Sequence, residues 1–251
     1  MNARILAIDA GNTRIKWGLH DGAAWCLRGT VATSDIAGSN AFRDGLKASA
    51  IDCIVVSNVA GSTVANLIED KIRFLDKTIT FIAASANQCG VVNGYDIPAQ
   101  LGSDRWAALV AAYAAAMDAP HPQVVVMSGT AVTVDALTAD GLFLGGIILP
   151  GLMLMHRALN SGTAQLPAMR GEYQTFPGNT VNAITSGALD ACAGAVQRMF
   201  ARLSERGGDV PRCVGSGGAM QLLAQHLPFP VSINDNLVLD GLLVIAKANA
   251  S

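Results

Sequence analysis

The stretch LAIDAGNTRIKWGLH, residues 6–20, decides the fold of this chain. A short apolar run over residues 4–8 predicts a buried strand, and the Asp-Ala-Gly-Asn-Thr sequence at 9–13 is typical of a polar turn. Residues 14–20 alternate between polar and apolar side chains, which predicts a second strand. Asp21 and Gly22 form a hairpin signal, so a third strand is expected over Trp25–Val31.

The opening pattern returns in the second half of the chain. The sequence VVVMSGT, residues 124–130, matches the start of the first stretch at an offset of 118 residues, with glycine and a hydroxyl residue at the turn. Residues 119–122, Ala-Pro-His-Pro, are typical of a linker. The repeat predicts an α/β fold built from two similar halves, 1–118 and 123–251, with a central cleft. Chance similarity of two buried strands is the alternative.

Periodicity assigns most of the remaining chain. In the first half it predicts strands near 53–57 and 79–83, a loop over 88–101, and helices near 40–49, 63–73 and 104–117. In the second half it predicts strands near 132–136, 142–149 and 212–214, and helices near 152–159, 181–204, from 219 to about 226, and 236–248.

Composition excludes several classes of protein. The 251 residues include 17 Lys and Arg against 19 Asp and Glu, so a net charge of −2 favours neither nucleic acid nor an anionic membrane as partner. No apolar stretch reaches the roughly 18 residues of a membrane span, and the N-terminus lacks a secretory signal. Five cysteines without a C-x-x-C pair are typical of reduced thiols in the cytoplasm. The charged fraction of 14% indicates that some apolar surface is covered by another subunit.

The turn at residues 9–13 has the chemistry of a phosphate site. Gly11 permits close approach of the backbone, whose N–H groups can bind an anion together with Asn12 and Thr13. Asp9 would act through water-bound Mg²⁺, because a carboxylate repels phosphate. An ordinary hairpin with an Asx turn is the alternative. The matching turn at Gly129 and Thr130 favours a two-sided phosphate site, and no P-loop motif competes with it.

Asp104 precedes a long Ala-rich helix. It is either a helix-capping carboxylate or the base that accepts a proton from a substrate hydroxyl. Arg105 beside it could bind a carboxylate of the substrate. Tyr95 is a loop anchor or a substrate contact, and Thr180 is a helix N-cap or a substrate contact. The glycine-rich segment 215–218 is an adenine neighbour or a plain strand-to-helix turn.

Taken in order, these motifs resemble the type III pantothenate kinases of the actin-like ATPase superfamily. The resemblance rests on DAGNT at 9–13, NGY at 93–95, LGSDRW at 101–106, GTA at 129–131 with Thr133 and Asp135, and GGIILPG at 145–151. It implies a duplicated ribonuclease-H-like fold, a homodimer, and phosphorylation of pantothenate by ATP at the first step of coenzyme A synthesis.

The resemblance also implies the roles of individual residues. Asp104 would be the catalytic base. ATP would be held by Thr130 and by the first loop, which comprises Asp9, Ala10, Gly11, Asn12, Thr13, Arg14, Ile15 and Lys16, with Asp9 on the Mg²⁺ side. Pantothenate would be held by Tyr95, Gly102, Ser103, Asp104, Arg105 and Thr180, the last from the partner subunit.

One position departs from the family pattern. Where the family has an aspartate that helps to bind K⁺ or NH₄⁺, this chain has Met127, and a thioether is a poor ligand for a hard cation. We therefore expect an active enzyme with weak or altered activation by monovalent cations. Two alternatives remain: an accessory or regulatory protein that keeps the nucleotide-binding fold, and an actin-like enzyme acting on another small substrate.

Overall fold

The computed structural model describes residues 3–40, 42, 46, 50–162 and 171–249. Its internal contacts divide the chain into two compact units, one comprising Met1–Met117 with Asn236–Ser251 and the other Asp118–Asp235. The border near residue 118 lies beside the linker that marks the predicted halves. The predicted second half, 123–251, differs from the second compact unit because the last helix buries its apolar side in the first unit.

The first unit contains a five-stranded mixed sheet. Its strands are β1 (Ile5–Ala10), β2 (Arg14–His20), β3 (Trp25–Ala32), β4 (Cys53–Asn58) and β5 (Ile79–Phe81), in the order β3-β2-β1-β4-β5. The first three strands are antiparallel neighbours, whereas β1, β4 and β5 run parallel. All five were expected, β3 from the hairpin signal at Asp21 and Gly22 and the other four from their apolar patterns.

A short antiparallel hairpin corrects the predicted loop over 88–101. It consists of β6 (Asn87–Gln88) and β7 (Val91–Asn93). Cys89 and Gly90 connect the two strands, and both have positive φ. A side chain at position 90 would come within 2.5 Å of the Tyr113 ring, so glycine is required both by the backbone and by the packing.

The second unit repeats the topology of the first sheet. Its strands are β8 (Gln123–Ser128), β9 (Ala131–Leu137), β10 (Leu142–Pro150), β11 (Arg212–Ser216) and β12 (Val231–Ile233). They lie in the order β12-β11-β8-β9-β10, with the same parallel and antiparallel relations as their counterparts. The duplicated α/β architecture predicted from the sequence repeat is therefore confirmed.

Helices flank both sheets. Their bounds are α1 (Ser62–Ile72), α2 (Ser103–Ala115), α3 (Leu152–Gly162), α4 (Thr180–Glu205), α5 (Met220–Ala224) and α6 (Leu237–Asn249). The helix predicted near 40–49 falls largely outside the described residues. Within the described part of the chain, no helix is long and apolar enough to cross a membrane.

Each sheet buries one face in a hydrophobic core. In the first unit Leu6, Ile8 and Ala10 of β1 lie in a core with α1, whereas on the opposite face α2 packs against β4 and α6 packs against β1 and β4. The helices α2 and α6 approach closely, since a side chain at Gly241 would lie 1.8 Å from the carbonyl oxygen of Ala107. Asp9 alternates with the core residues of β1 and therefore lies on the α2 side.

Candidate active site

The turn after β1 is held rigidly by backbone hydrogen bonds. The N–H of Gly11 donates to the carbonyl oxygen of Arg14 at 3.1 Å, and the hydroxyl of Thr33 donates to the carbonyl oxygen of Gly11 at 2.7 Å. The side chains of Asn12, Thr13 and Arg14 are exposed. The turn thus presents polar groups to solvent from a fixed backbone, as a phosphate site requires.

Two residues of the predicted loop have side chains in the core. Ala10 and Ile15 are fully buried in the first hydrophobic cluster, so they can offer only backbone groups to a ligand. Lys16 is half-buried and lies opposite Asp9 in the β1–β2 register.

The carboxyl of Asp9 has a strongly perturbed acidity. Its pKa is raised from 3.8 to about 7, mainly by burial and also by the negative charge of Asp104, while the positive charge of Lys16 opposes the increase. The repulsion shows that the two carboxylates share one electrostatic environment, although they lie 95 residues apart in the sequence. A positive charge bound beside Asp9 would restore its ionised form.

Asp104 lies in the first turn of α2. Its Oδ1 accepts a hydrogen bond from the N–H of Arg105 at 2.8 Å. Burial raises its pKa, while that hydrogen bond and the charge of Arg105 oppose the increase. Gly102 leaves room for the carboxylate, because a side chain there would come within 2.7 Å of the same oxygen.

The buried Arg105 and the half-buried Tyr95 form a pair next to this carboxylate. Arg105 is only 5% exposed, and its Nη1 donates to the hydroxyl oxygen of Tyr95 at 3.1 Å. The N–H of Tyr95 donates to Oδ1 of Asn93 at 3.1 Å, which ties the loop to β7. Tyr95 is therefore anchored, as one of the two interpretations predicted, and it is also brought to the start of α2.

Ser57 is a member of this cluster that sequence reasoning missed. It is fully buried near the end of β4, and its Oγ lies 2.9 Å from the Oγ of Ser103. The signal available in the sequence was only that Ser57 ends an apolar strand, as Asp9 follows the apolar run of β1. Nothing in local spacing links it to Ser103.

The second unit has a comparable turn between β8 and β9. The N–H of Gly129 donates to the carbonyl oxygen of Ala131 at 2.9 Å, and the N–H of Gly151 donates to that of Thr130 at 2.9 Å. Gly129 and Thr130 are exposed, and Met127 is half-buried. Met127 is the register partner of Thr133 on β9 and of Ser216 on β11. It has a thioether where the family pattern has a carboxylate for a monovalent cation.

The start of α4 corrects the assignment of Thr180 as an N-cap. The cap is Asn179, whose Oδ1 accepts a hydrogen bond from the N–H of Asn182 at 2.9 Å. Thr180 is the first helical residue, and its side chain is exposed. Its hydroxyl is therefore not needed for capping.

The carboxylates suit a Mg²⁺ ion that is held mainly through water and phosphate. Among the residues that the structure describes, no group of three or more His, Cys, Asp or Glu side chains could hold a metal ion. Mg²⁺ commonly binds through one or two carboxylates together with substrate phosphates. Asp9 fits that pattern, because burial disfavours its negative charge and a bound cation would stabilise it.

Comparisons with known proteins match this arrangement. The sequence model of the family described as type III pantothenate kinase matches residues 5–202. The chain belongs to the type III pantothenate kinase family. A type III pantothenate kinase from Aromatoleum aromaticum is 47% identical over 98% of this chain and 99% of its own. One from Nitrosospira multiformis is 45% identical over 98% and 92%, respectively.

Solved structures support the fold of this pantothenate kinase family member. A protein assigned to the Baf family of transcriptional activators from Campylobacter jejuni has a TM-score of 0.60 at 18% identity, over 98% of each chain. A protein assigned as a 2-dehydro-3-deoxygalactonokinase from Sinorhizobium meliloti has a TM-score of 0.61 at 15% identity, over 98% of this chain and 99% of its own. The predicted family, fold class and kinase activity are confirmed.

Proposed function

We propose that the chain transfers the γ-phosphoryl group of ATP to the primary hydroxyl of pantothenate, which gives 4′-phosphopantothenate for coenzyme A synthesis. The observation that carries the proposal is the Asp104 carboxylate. It lies at the start of α2, its pKa is raised by burial, and its charge acts on Asp9 beside the Gly11 turn.

Asp104 is the proposed base. The N–H of Arg105 fixes one of its oxygens, which leaves the other to accept the proton of the substrate hydroxyl. Its raised pKa makes it a stronger base than an exposed aspartate. As the proton moves to Asp104, the hydroxyl oxygen bonds to the γ-phosphorus, the bond from that phosphorus to the bridging oxygen breaks, and ADP leaves.

The phosphates are proposed to bind at the turns of the two units. The first site consists of residues 9–16, with Ala10 and Ile15 contributing backbone groups and Lys16 a positive charge. The second contains Thr130. When bound, Mg²⁺ would neutralise phosphate charge, and Asp9 would hold it through water. The thioether of Met127 is a poor ligand for K⁺ or NH₄⁺, so no step is assigned to such an ion.

Pantothenate is proposed to bind beside α2 through Tyr95, Gly102, Ser103 and Arg105, with Thr180 as a further contact. The Arg105 guanidinium is buried and already donates to Tyr95. A guanidinium has several N–H donors in a fixed planar arrangement, and this arrangement suits the carboxylate of pantothenate.

A cytoplasmic homodimer is part of the proposal. The five cysteines are free thiols, as expected in a reducing compartment. The second unit exposes large apolar side chains on β10 and α3, namely Ile148, Met153, Leu154 and Leu159, with Phe176 in the following segment. Burial of these side chains against a second copy would explain their exposure in one chain.

The test is an ADP-release assay with pantothenate as acceptor and a panel of other small hydroxy acids as comparison. We expect ADP formation to depend on pantothenate, and mass spectrometry to find one added phosphoryl group. If the enzyme prefers another hydroxy acid, that acid and not pantothenate is its substrate. Binding of ATP without transfer to any acceptor would favour an accessory role.

A further inference from the structure

Ser57 and Ser103 form a buried link between the central strands and α2. Ser57 is fully buried, Ser103 is 7% exposed, and their hydroxyl oxygens are 2.9 Å apart. The two serines are 46 residues apart in the chain. The link therefore joins β4 to the first residue of the helix that carries Asp104.

The position of Ser57 on β4 places it next to Asp9. The two residues are partners in the parallel register of β1 and β4, so their side chains project from the same face of the sheet. This is the face on which α2 packs. The strands β1 and β4 thus place Asp9 beside the Ser57 hydroxyl, which is hydrogen-bonded to Ser103, the residue before Asp104.

No capping side chain closes the first turn of α2, which is otherwise anchored by the Arg105–Tyr95 hydrogen bond. Gly102 is the N-cap and offers no side-chain hydrogen bond, and the first backbone hydrogen bond is from the N–H of Trp106 to the carbonyl oxygen of Gly102 at 2.9 Å. Asp104 and Asp9 repel each other across the site. A hydrogen bond that opposes this repulsion would keep the Asp104 carboxylate at a fixed distance from Asp9.

We propose that Ser57 is a positioning residue, which fixes the start of α2 through its hydrogen bond to Ser103 and thereby sets the position of Asp104 for proton acceptance. The inference rests on the proposed function, in which Asp104 is the base. Ser57 itself touches neither substrate nor the reacting atoms.

The first test is kinetic. Ser57→Ala should lower kcat by roughly ten- to a hundredfold, the usual effect of a small misplacement of a catalytic group, with KM for ATP nearly unchanged. In an Asp104→Asn background the same substitution should leave the residual kcat unchanged, because the group that Ser57 positions is already disabled. An equal loss in both backgrounds would overturn the proposal.

The second test needs no activity. Amide hydrogen exchange at Trp106 should become faster in Ser57→Ala, because the first turn opens more often. Unchanged exchange together with unchanged kcat would overturn the inference. If the wild type fails to phosphorylate pantothenate, the proposed function fails, whereas exchange at Trp106 still decides whether the link holds the helix.

Two variants control for loss of stability. Thr138→Ala removes a hydroxyl that accepts a hydrogen bond from the N–H of Leu142 at 2.9 Å in the β9–β10 turn. This variant should be less stable than the wild type and should keep its kcat. Ser57→Cys fills the same space with a weaker hydrogen-bonding group. It should be folded and impaired, which covers the case in which the alanine variant does not fold. Full activity of a folded Ser57→Cys would contradict the proposal.

Discussion

Asp9 and Asp104 have raised pKa values for the same main reason, burial, but their neighbours give them different chemistry. The charge of Asp104 adds to the increase at Asp9, whereas a backbone N–H and the guanidinium of Arg105 moderate the increase at Asp104. Asp104 therefore stays oriented for proton transfer, whereas Asp9 is only partly ionised at neutral pH unless a nearby cation lowers its pKa.

Replacement of the proposed base should mainly affect turnover. Asp104→Asn keeps the shape of the side chain but removes its basic oxygen, so kcat should fall by about 10²–10⁴ with KM for ATP nearly unchanged. Steady-state kinetics measures both. Asp76→Asn, an exposed position that no proposed step uses, should keep its kcat. Near-normal turnover of the Asp104 variant would remove Asp104 from the role.

Asp9 should make the metal-free protein less stable as pH rises. Because its pKa is raised from 3.8 to about 7 in the folded state, the folded state binds the proton more tightly than the unfolded state. Stability from this group is full below pH 3.8 and is lost as pH rises to about 7. The stability of Asp9→Asn relative to wild type should therefore increase over this range and then level off.

Urea unfolding with a chelator, at several pH values between about 5 and about 8, measures this difference. A free-energy difference between the two proteins that does not change with pH would contradict the assignment. Added Mg²⁺ and ATP should reduce the difference, because a bound cation favours the charged carboxylate.

Met127 should determine the response to K⁺. A titration of KCl at fixed ionic strength should leave kcat of the wild type nearly unchanged. Met127→Asp supplies the hard oxygen ligand and should introduce a saturable increase with K⁺, while Met127→Leu should behave as wild type. A strong saturable K⁺ activation of the wild type would show that Met127 does not prevent cation binding.

The sequence singled out candidate site residues, but it did not indicate the bonds between them. Asp9, Gly11 and Asp104 occur in local patterns with a chemical meaning, so spacing was enough. The Ser57–Ser103 and Arg105–Tyr95 contacts join separate segments. Only the packing of α2 against β4 and the loop after β7 brings these partners together.

At the scale of elements, the β8–β9 turn, which is proposed to bind phosphate, is supported by the start of α3. In the second unit Gly151, at the start of α3, packs against the backbone of the β8–β9 turn. A side chain there would lie 2.2 Å from the carbonyl oxygen of Gly129 and 2.6 Å from that of Thr130. These contacts involve backbone atoms, which cannot move aside as a side-chain end would.

Gly151→Ala should therefore displace the turn. We expect the free energy of unfolding to fall by about 1–3 kcal/mol and KM for ATP to rise by roughly tenfold. Gly187→Ala in α4, where nothing lies within 4 Å of the added carbon, is the matched control and should be neutral or slightly stabilising. An unchanged KM for ATP in Gly151→Ala would separate this turn from nucleotide binding.

Element prediction succeeded where apolar patterns were long. The strands β1, β4 and β8 are nearly continuous buried runs, and α4 spans 26 residues. The misses are short: β6 has two residues, and β7 and β12 have three each. Such strands lack enough residues for a period and depend on their neighbours for pairing.

At the scale of the whole molecule, the exposed apolar side chains of the second unit predict self-association. Light scattering after size exclusion should give twice the mass of one chain. Ile148→Asp, at a side chain 63% exposed on β10, should shift the protein towards monomer. Val210→Asp, at a similarly apolar residue 75% exposed, should remain dimeric. A monomeric wild type would contradict the homodimer.

The duplication was visible in the sequence because both copies keep a strand, a glycine turn and a second strand. From Ile5 to Gln123, the first strands of the two sheets begin 118 residues apart, the offset found in the sequence. The place of α6 was not predictable from that repeat, since periodicity shows that a helix has an apolar side but not which sheet covers it.

The packing of α6 against β1, β4 and α2 has a consequence for biosynthesis. The first half of the chain leaves the ribosome with only α2 on this face of its sheet, and the part that α6 covers stays exposed until residues 237–249 have been made. The unit whose synthesis starts before that of the second unit is thus completed after it. The nascent chain must keep this apolar surface from aggregating while the whole of the second unit is synthesised.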